Sequence, residues 1–219
     1  MKGFFRNNIF IFLVYLVVIC LSIGYLLNYD KVSIHFYLNQ YVGNSFLNYF
    51  FYYITYLGDG TIAAFILLLI LIYNIRAGLY ATASFLTATL FSITLKHQFY
   101  DDVNRPSFVF KYFDGRQLKF VDGVELYIHN SFPSGHATQA FSILMCLVFT
   151  AKSQVYKFLF FGLAFLTALS RVYLSQHWLV DITVGSIIGM LFSLLYYFIF
   201  MYNNRLEKLN RTLLDFKTH

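Results

Sequence analysis

The chain has 219 residues, 59% of them hydrophobic and only 12% charged, about half the charged share (~25%) of an ordinary soluble domain. With a mean hydropathy of +0.62 there is too little polar surface to clothe a water-soluble globule. This excludes a disordered chain, a secreted disulfide scaffold and most soluble enzymes, and two prolines with twelve glycines exclude low-complexity readings. A net charge of +6 on such a chain implies no nucleic acid partner; the positions of the charges matter instead.

Charge-free runs of about 20 residues predict membrane-spanning helices. Asn7–Tyr29 is the first, with its core at Ile9–Leu27. It has no small-x-small cleavage site after it, so it reads as an uncleaved anchor. Residues 35–56 are crowded with aromatics, the composition of an interfacial belt or a tilted, partly inserted helix. Gly60–Ile75 is a second span, lengthened outward past Asp59 by Tyr53–Leu57. Ala77–Leu95 is a third, rich in small residues that suit close helix packing in lipid. His136–Ala151, Val155–Leu174 and Leu179–Tyr202 complete six. Backbone amides inside lipid must bond internally, so the expected fold class is an all-α integral membrane protein, one domain over residues 1–219. Cys20 and Cys146 both fall in spans, so no disulfide is expected.

Six spans put both termini on one side. With the amino terminus cytoplasmic, the inner segments hold Lys2, Arg6, Arg76, Lys152, Lys157, Arg205, Lys208, Arg211 and Lys217 against Glu207 and Asp215, a balance of +7. The outer segments balance to −1. Short loops follow the positive-inside rule, which sets this orientation. From Arg205 the tail (205–219) spaces Leu206, Leu209, Leu213 and Phe216 for an amphipathic helix on the inner leaflet.

The longest soluble piece is then an outer loop, residues 97–133, and chemistry-bearing residues collect around it. Lys96 closes the third span, Arg105-Pro106 lies in the loop, Pro133-Ser134-Gly135-His136 opens the fourth span, Ser170-Arg171 ends the fifth, and His177 and Asp181 start the sixth. Span-end cations usually snorkel to headgroups, and Ser before a helix is usually only a cap. Three cations, two histidines and a carboxylate converging on one face outweigh those readings. Lys96, Arg105 and Arg171 form an anion site, since guanidinium forks match phosphate oxygens. Ser134 and Gly135 add the amides and dipole of a helix start. His177 can attack phosphorus while Asp181, one helical turn on, fixes its tautomer; His136 can protonate the departing oxygen. A metal site is the weaker reading, because three cations would repel a divalent ion.

These motifs resemble the type 2 phosphatidic acid phosphatase family of membrane-embedded lipid phosphatases, related in core site to vanadium haloperoxidases. Pro133-Ser134-Gly135-His136 and Ser170-Arg171, five residues, His177, three residues, Asp181 match that family's second and third motifs. In the first motif eight residues, rather than six, separate Lys96 from Arg105-Pro106; the six-residue position is Gln98. The resemblance implies a helical core shared with the haloperoxidases, His177 as nucleophile through a phosphohistidine, Asp181 as its orienter and His136 as acid. It also implies a phosphate cradle of Lys96, Arg105, Ser134, Gly135 and Arg171, with no metal or cofactor. The implied partners are the bilayer and a membrane lipid phosphate: lipid A, undecaprenyl diphosphate, phosphatidylglycerol phosphate or phosphatidic acid. The implied location is a bacterial inner membrane with the site facing outward. The alternatives are a phosphotransferase using the same phosphohistidine with another acceptor, and a transporter, which would need a continuous polar path. Nothing in the sequence sets an oligomeric state.

Overall fold

A computed structural model of the chain describes residues 2–202 and 204–213. Among these residues there are helices and no strand. The α-helices are α1 (Lys2–Asn28), α2 (Lys31–Asn39), α3 (Ser45–Ile54), α4 (Gly60–Tyr73), α5 (Ile75–Phe99), α6 (Pro106–Val109), α7 (Gly135–Thr150), α8 (Gln154–Tyr173) and α9 (Leu179–Tyr196). Their starts are set by short polar side chains between the apolar runs. Asp30 accepts from Val32 N and Ser33 N, Asn44 from Leu47 N, Asp59 from Thr61 N and Asn74 from Ala77 N. Each bond satisfies a first-turn amide that no intrahelical carbonyl can reach.

Four helices are long and apolar enough to cross a membrane: α1, α5, α8, and α9 continued to Met201. The expected second span is a bent pair, with Ser45–Gly58 and Gly60–Tyr73 meeting at 60°. The bend falls where Asp59 caps α4 and a 3₁₀ turn, Thr55–Gly58, closes the preceding helix. The expected fourth span, α7, is apolar but has only 16 residues, short of the ~20 a crossing takes. It is the most enclosed helix, packed between α5, α8 and α9. α1 is buried near its start at Phe4, Asn8 and Ile11, where the buried Lys157 donates to Asn7 O (2.9 Å) and Asn8 Oδ1 (2.6 Å), and further on it meets α9 through Tyr15 with Ser186 (3.2 Å) and Ser22 with Thr183 (2.6 Å). Cys20 and Cys146 are both free.

The tail differs from the sequence expectation where it is described. Asn204–Leu209 winds as a 3₁₀ helix, and the chain beyond it is tied to the α4–α5 turn by Ile75 N to Arg211 O (3.0 Å) and Leu213 N to Ile72 O (3.1 Å). The rest of the expected amphipathic segment, Phe216 included, lies outside the described residues.

The most extensive helix packing joins α7 to α9, through two glycines one turn apart. A Cβ on Gly185 would lie 2.6 Å from Ser134 O, and one on Gly189 would lie 2.5 Å from Thr138 O and 2.7 Å from Phe141 Cβ. Only hydrogen fits there, as at the small-residue contacts of helices in lipid. Gly189→Ala is therefore expected to lower the melting temperature of the detergent-extracted protein. The overpacking cost of about 1–3 kcal/mol outweighs the ~0.5–1 kcal/mol that alanine gains over glycine in a helix. Gly24→Ala on α1, where a Cβ meets nothing within 4 Å, is expected to leave it unchanged or raise it. An unchanged melting temperature for Gly189→Ala would show that the contact yields.

Candidate active site

The α7–α9 contact positions the chemistry, because Ser134 lies directly over Gly185 and Asp181 stands one turn before it. Ser134 is fully buried; its N donates to Asp181 O (3.1 Å) and its Oγ accepts from Ala137 N at the start of α7. Gly135 and His136 follow as the first two residues of α7. From the other side the 3₁₀ turn presses in: a Cβ on Gly58 would lie 2.7 Å from His136 O and 3.0 Å from His136 Cβ.

His177 and Asp181 bracket the start of α9. Both are buried, and His177 Nδ1 lies 3.3 Å from Asp181 Oδ2. The same carboxylate oxygen accepts from Trp178 N (2.9 Å) and from Ser131 Oγ (2.5 Å). Asp181 is thus held by three donors, and the histidine takes its orientation from a fixed group. Burial, reinforced by the charges of Arg105, Arg171 and Lys96, holds His177 well below the ordinary imidazole range. Its ring is neutral at neutral pH and keeps a lone pair for attack.

The three expected cations do meet. Arg171, in the last turn of α8, donates from Nη1 to Thr55 Oγ1 (2.9 Å), while its buried Nε has no protein partner. Arg105 donates from Nε to His129 O (2.8 Å) and from Nη1 to Gln176 O (3.0 Å) and Gln176 Oε1 (3.2 Å). Lys96 Nζ donates to Asn130 O (2.8 Å), a carbonyl that Arg105 Nη2 also reaches at 3.4 Å. The lengthened first motif is absorbed beyond the lysine: α5 runs on to Phe99 and a turn at Asp101–Asp102 takes up the slack. Gln98 is exposed and Lys96 is the residue turned inward. Among the described residues none of the three cations has a carboxylate in salt-bridge contact. Their hydrogen bonds go to neutral oxygens, so the cluster keeps its positive charge and needs an anion.

Sequence reasoning missed Ser131, Thr55, Gln176 and Asn130. Ser131 stands three residues ahead of Ser134, close enough for a signal to have been read. Thr55 and Gln176 carry none, because each reaches its arginine only through the tertiary fold. Among the described residues no three His, Cys, Asp or Glu side chains gather into a metal-ligand set.

The model of the PAP2 superfamily matches residues 77–205, a stretch that holds every residue expected at the site. This chain belongs to the PAP2 superfamily. Two solved structures share its fold. The crystal structure of Aquifex aeolicus LpxE has a TM-score of 0.65 at 24% identity, covering 75% of this chain and 92% of that one. The first transmembrane PAP2-type phosphatidylglycerolphosphate phosphatase from Bacillus subtilis has a TM-score of 0.65 at 21% identity, covering 91% of this chain and 98% of that one. No curated protein matches this PAP2 chain significantly by sequence. The PAP2 motifs thus occupy the helix ends that the fold brings together, and the apolar helices identify an integral membrane protein.

Proposed function

We propose that this PAP2 protein is a lipid phosphate phosphatase that acts through a phosphohistidine. The observation that carries the reading is the cluster of Lys96, Arg105 and Arg171, three buried or half-buried cations without ion-pair partners among the described residues, beside His177, Asp181 and the start of α7. With Nδ1 engaged by Asp181, Nε2 of His177 is the nitrogen left to attack phosphorus. The P–O bond to the lipid breaks as the N–P bond forms, and His136 gives its proton to the departing oxygen. Water then attacks the phosphohistidine, His136 takes a proton from it, and inorganic phosphate leaves. The cations and the amides following Ser134 stabilise the charge on the transferring group, the larger share of catalysis in phosphoryl transfer. Lys96, Arg105 and Arg171 around the histidines would repel a divalent ion, which supports a metal-independent reaction.

The remaining expectations belong to the same reading. α7 together with the bent pair brings the number of spans to six, with both termini cytoplasmic and the site facing the exterior of a bacterial inner membrane. The +7 and −1 charge balance supports this orientation. The substrate class is a phosphate monoester or diphosphate on a membrane lipid. The names of the two structural neighbours and the three cations of the cradle support that class.

The test is phosphate release by the reconstituted protein from phosphatidic acid, phosphatidylglycerol phosphate, lipid A and undecaprenyl diphosphate, each alone and with a strong chelator. Release from at least one substrate, unchanged by the chelator, is expected. Release restored only by a divalent ion would establish a metal requirement. Turnover only with an added acceptor would make the protein a transferase. No release from any substrate would sink the proposal.

A further inference from the structure

The segment between α5 and α7 carries its apolar side chains outward. Residues 125–131 run back alongside residues 103–107: Arg105 N donates to Ile128 O (2.9 Å), Ser131 N to Val103 O (2.9 Å) and Ser107 Oγ to Tyr127 O (2.9 Å). Along this stretch Leu126, Tyr127 (52% exposed) and Ile128 (47%) are exposed. Beside it, the turn that follows α6 exposes Tyr112 (59%) and Phe113 (74%). The two pieces are one patch, because the ring of Phe108 lies 4.8 Å from Tyr112, 5.8 Å from Phe113 and 5.1 Å from His129. Its inner edge is the phosphate cradle: the Arg105 guanidinium sits 5.3 Å from the centre of the Tyr127 ring.

Exposed apolar side chains gathered in one patch mark a contact surface, and two features name its occupant. The connection that carries the patch leaves a membrane-spanning helix at its outer end, starting from the exposed Phe99 that ends α5. Its charges also suit a headgroup layer. Lys111 Nζ lies 5.1 Å over the Tyr112 ring, Asp114 is paired with Arg116, and Glu125 accepts from the Tyr127 hydroxyl (3.1 Å). Large aromatic side chains interleaved with a lysine are the composition of a surface that sits at the headgroup–acyl boundary.

We infer that this patch is a membrane-seating lip, inserted in the outer leaflet of the protein's own bilayer, that admits a lipid phosphate to Arg105 directly from that leaflet. The inference rests on the phosphatase reading and its orientation, and it replaces the expectation of a soluble outer loop. Because the lip and Arg105 are joined through the backbone, its seating sets the height of the cradle against the headgroups.

The test uses the triple variant Phe113→Ser, Leu126→Ser and Ile128→Ser, with Tyr127 kept because its ring faces Arg105. Reconstituted in vesicles of phosphatidylethanolamine and phosphatidylglycerol, it is expected to lose about tenfold or more in kcat/KM on a long-chain lipid phosphate in the bilayer. On water-soluble dihexanoyl phosphatidic acid it should stay within about twofold of the parent. Equal losses on both substrates, or none on either, would overturn the lip. A second measurement does not depend on turnover: nitroxide labels on Phe113→Cys and Ile128→Cys, each in a Cys20→Ser background. Collisions with oxygen exceeding those with a polar nickel chelate are expected, and the reverse order would overturn the lip. If the parent protein hydrolyses neither substrate, the phosphatase reading fails and the labels alone decide the lip.

Discussion

His177→Ala is expected to abolish phosphate release, with a loss on the order of 10⁴-fold or more, as when an attacking group is removed from an enzyme that forms a covalent intermediate. The side chain is buried beside three cations, its Nδ1 faces Asp181, and its ring is held neutral by burial and by those charges. His136, the second imidazole of the site, occupies the start of α7. The variant should still fold, because His177 lies in the short α8–α9 connection, whose backbone is fixed independently by His177 N to Arg171 O (3.1 Å) and Gln176 N to Arg171 O (2.9 Å). An unchanged melting temperature together with lost turnover is the expected pair of results. Activity within tenfold of the parent would remove His177 from the nucleophile role.

Much of this site was legible because its motifs are local. His177 and Asp181 are four residues apart and reach one helix start whatever surrounds them. Ser134 and Gly135 announce the beginning of α7 by their own chemistry. The helical class followed from charge-free runs, since a bilayer leaves the backbone no other means of satisfying its amides. What stayed hidden depends on contacts between distant segments. Thr55 meets Arg171 across 116 positions, a contact that no spacing in the sequence encodes, and Ser131, although only three residues ahead of Ser134, meets Asp181 across 50. The first motif was ambiguous for a related reason. Counting residues from Arg105 favoured Gln98, whereas the helix continues past Lys96 and the turn beyond it absorbs the difference. Gly185 and Gly189 stood in plain view at a packing period, but their meaning comes from Ser134 O and Thr138 O on the facing helix.

Arg171→Met should separate catalysis from stability by moving them in opposite directions. Arg171 is buried, donates from Nη1 to Thr55, has no partner for Nε among the described residues, and lies close enough to Arg105 for the two charges to repel. A buried charge of this kind costs the fold. Exchanging such a group for an apolar side chain of similar volume is often neutral or stabilising by about 1–4 kcal/mol, against roughly 1 kcal/mol for the hydrogen bond to Thr55. The phospho-protein, by contrast, loses one arm of its anion cradle as negative charge shifts through the transition state. That loss is expected to lower kcat/KM by about 10³-fold, within the range of removing one positioned donor or arginine from such a site. Arg171→Lys restores the charge but neither the planar fork nor the reach to Thr55, and so falls between the two. The checks are phosphate release and a thermal melt on the same preparations. An equal or higher melting temperature with the large kinetic loss is the expected outcome, and it would mark Arg171 as a residue retained for the anion at the expense of the fold. A variant that melts lower and turns over normally would instead make Arg171 a structural strut between α8 and the 3₁₀ turn at Thr55, leaving the cradle to Lys96 and Arg105.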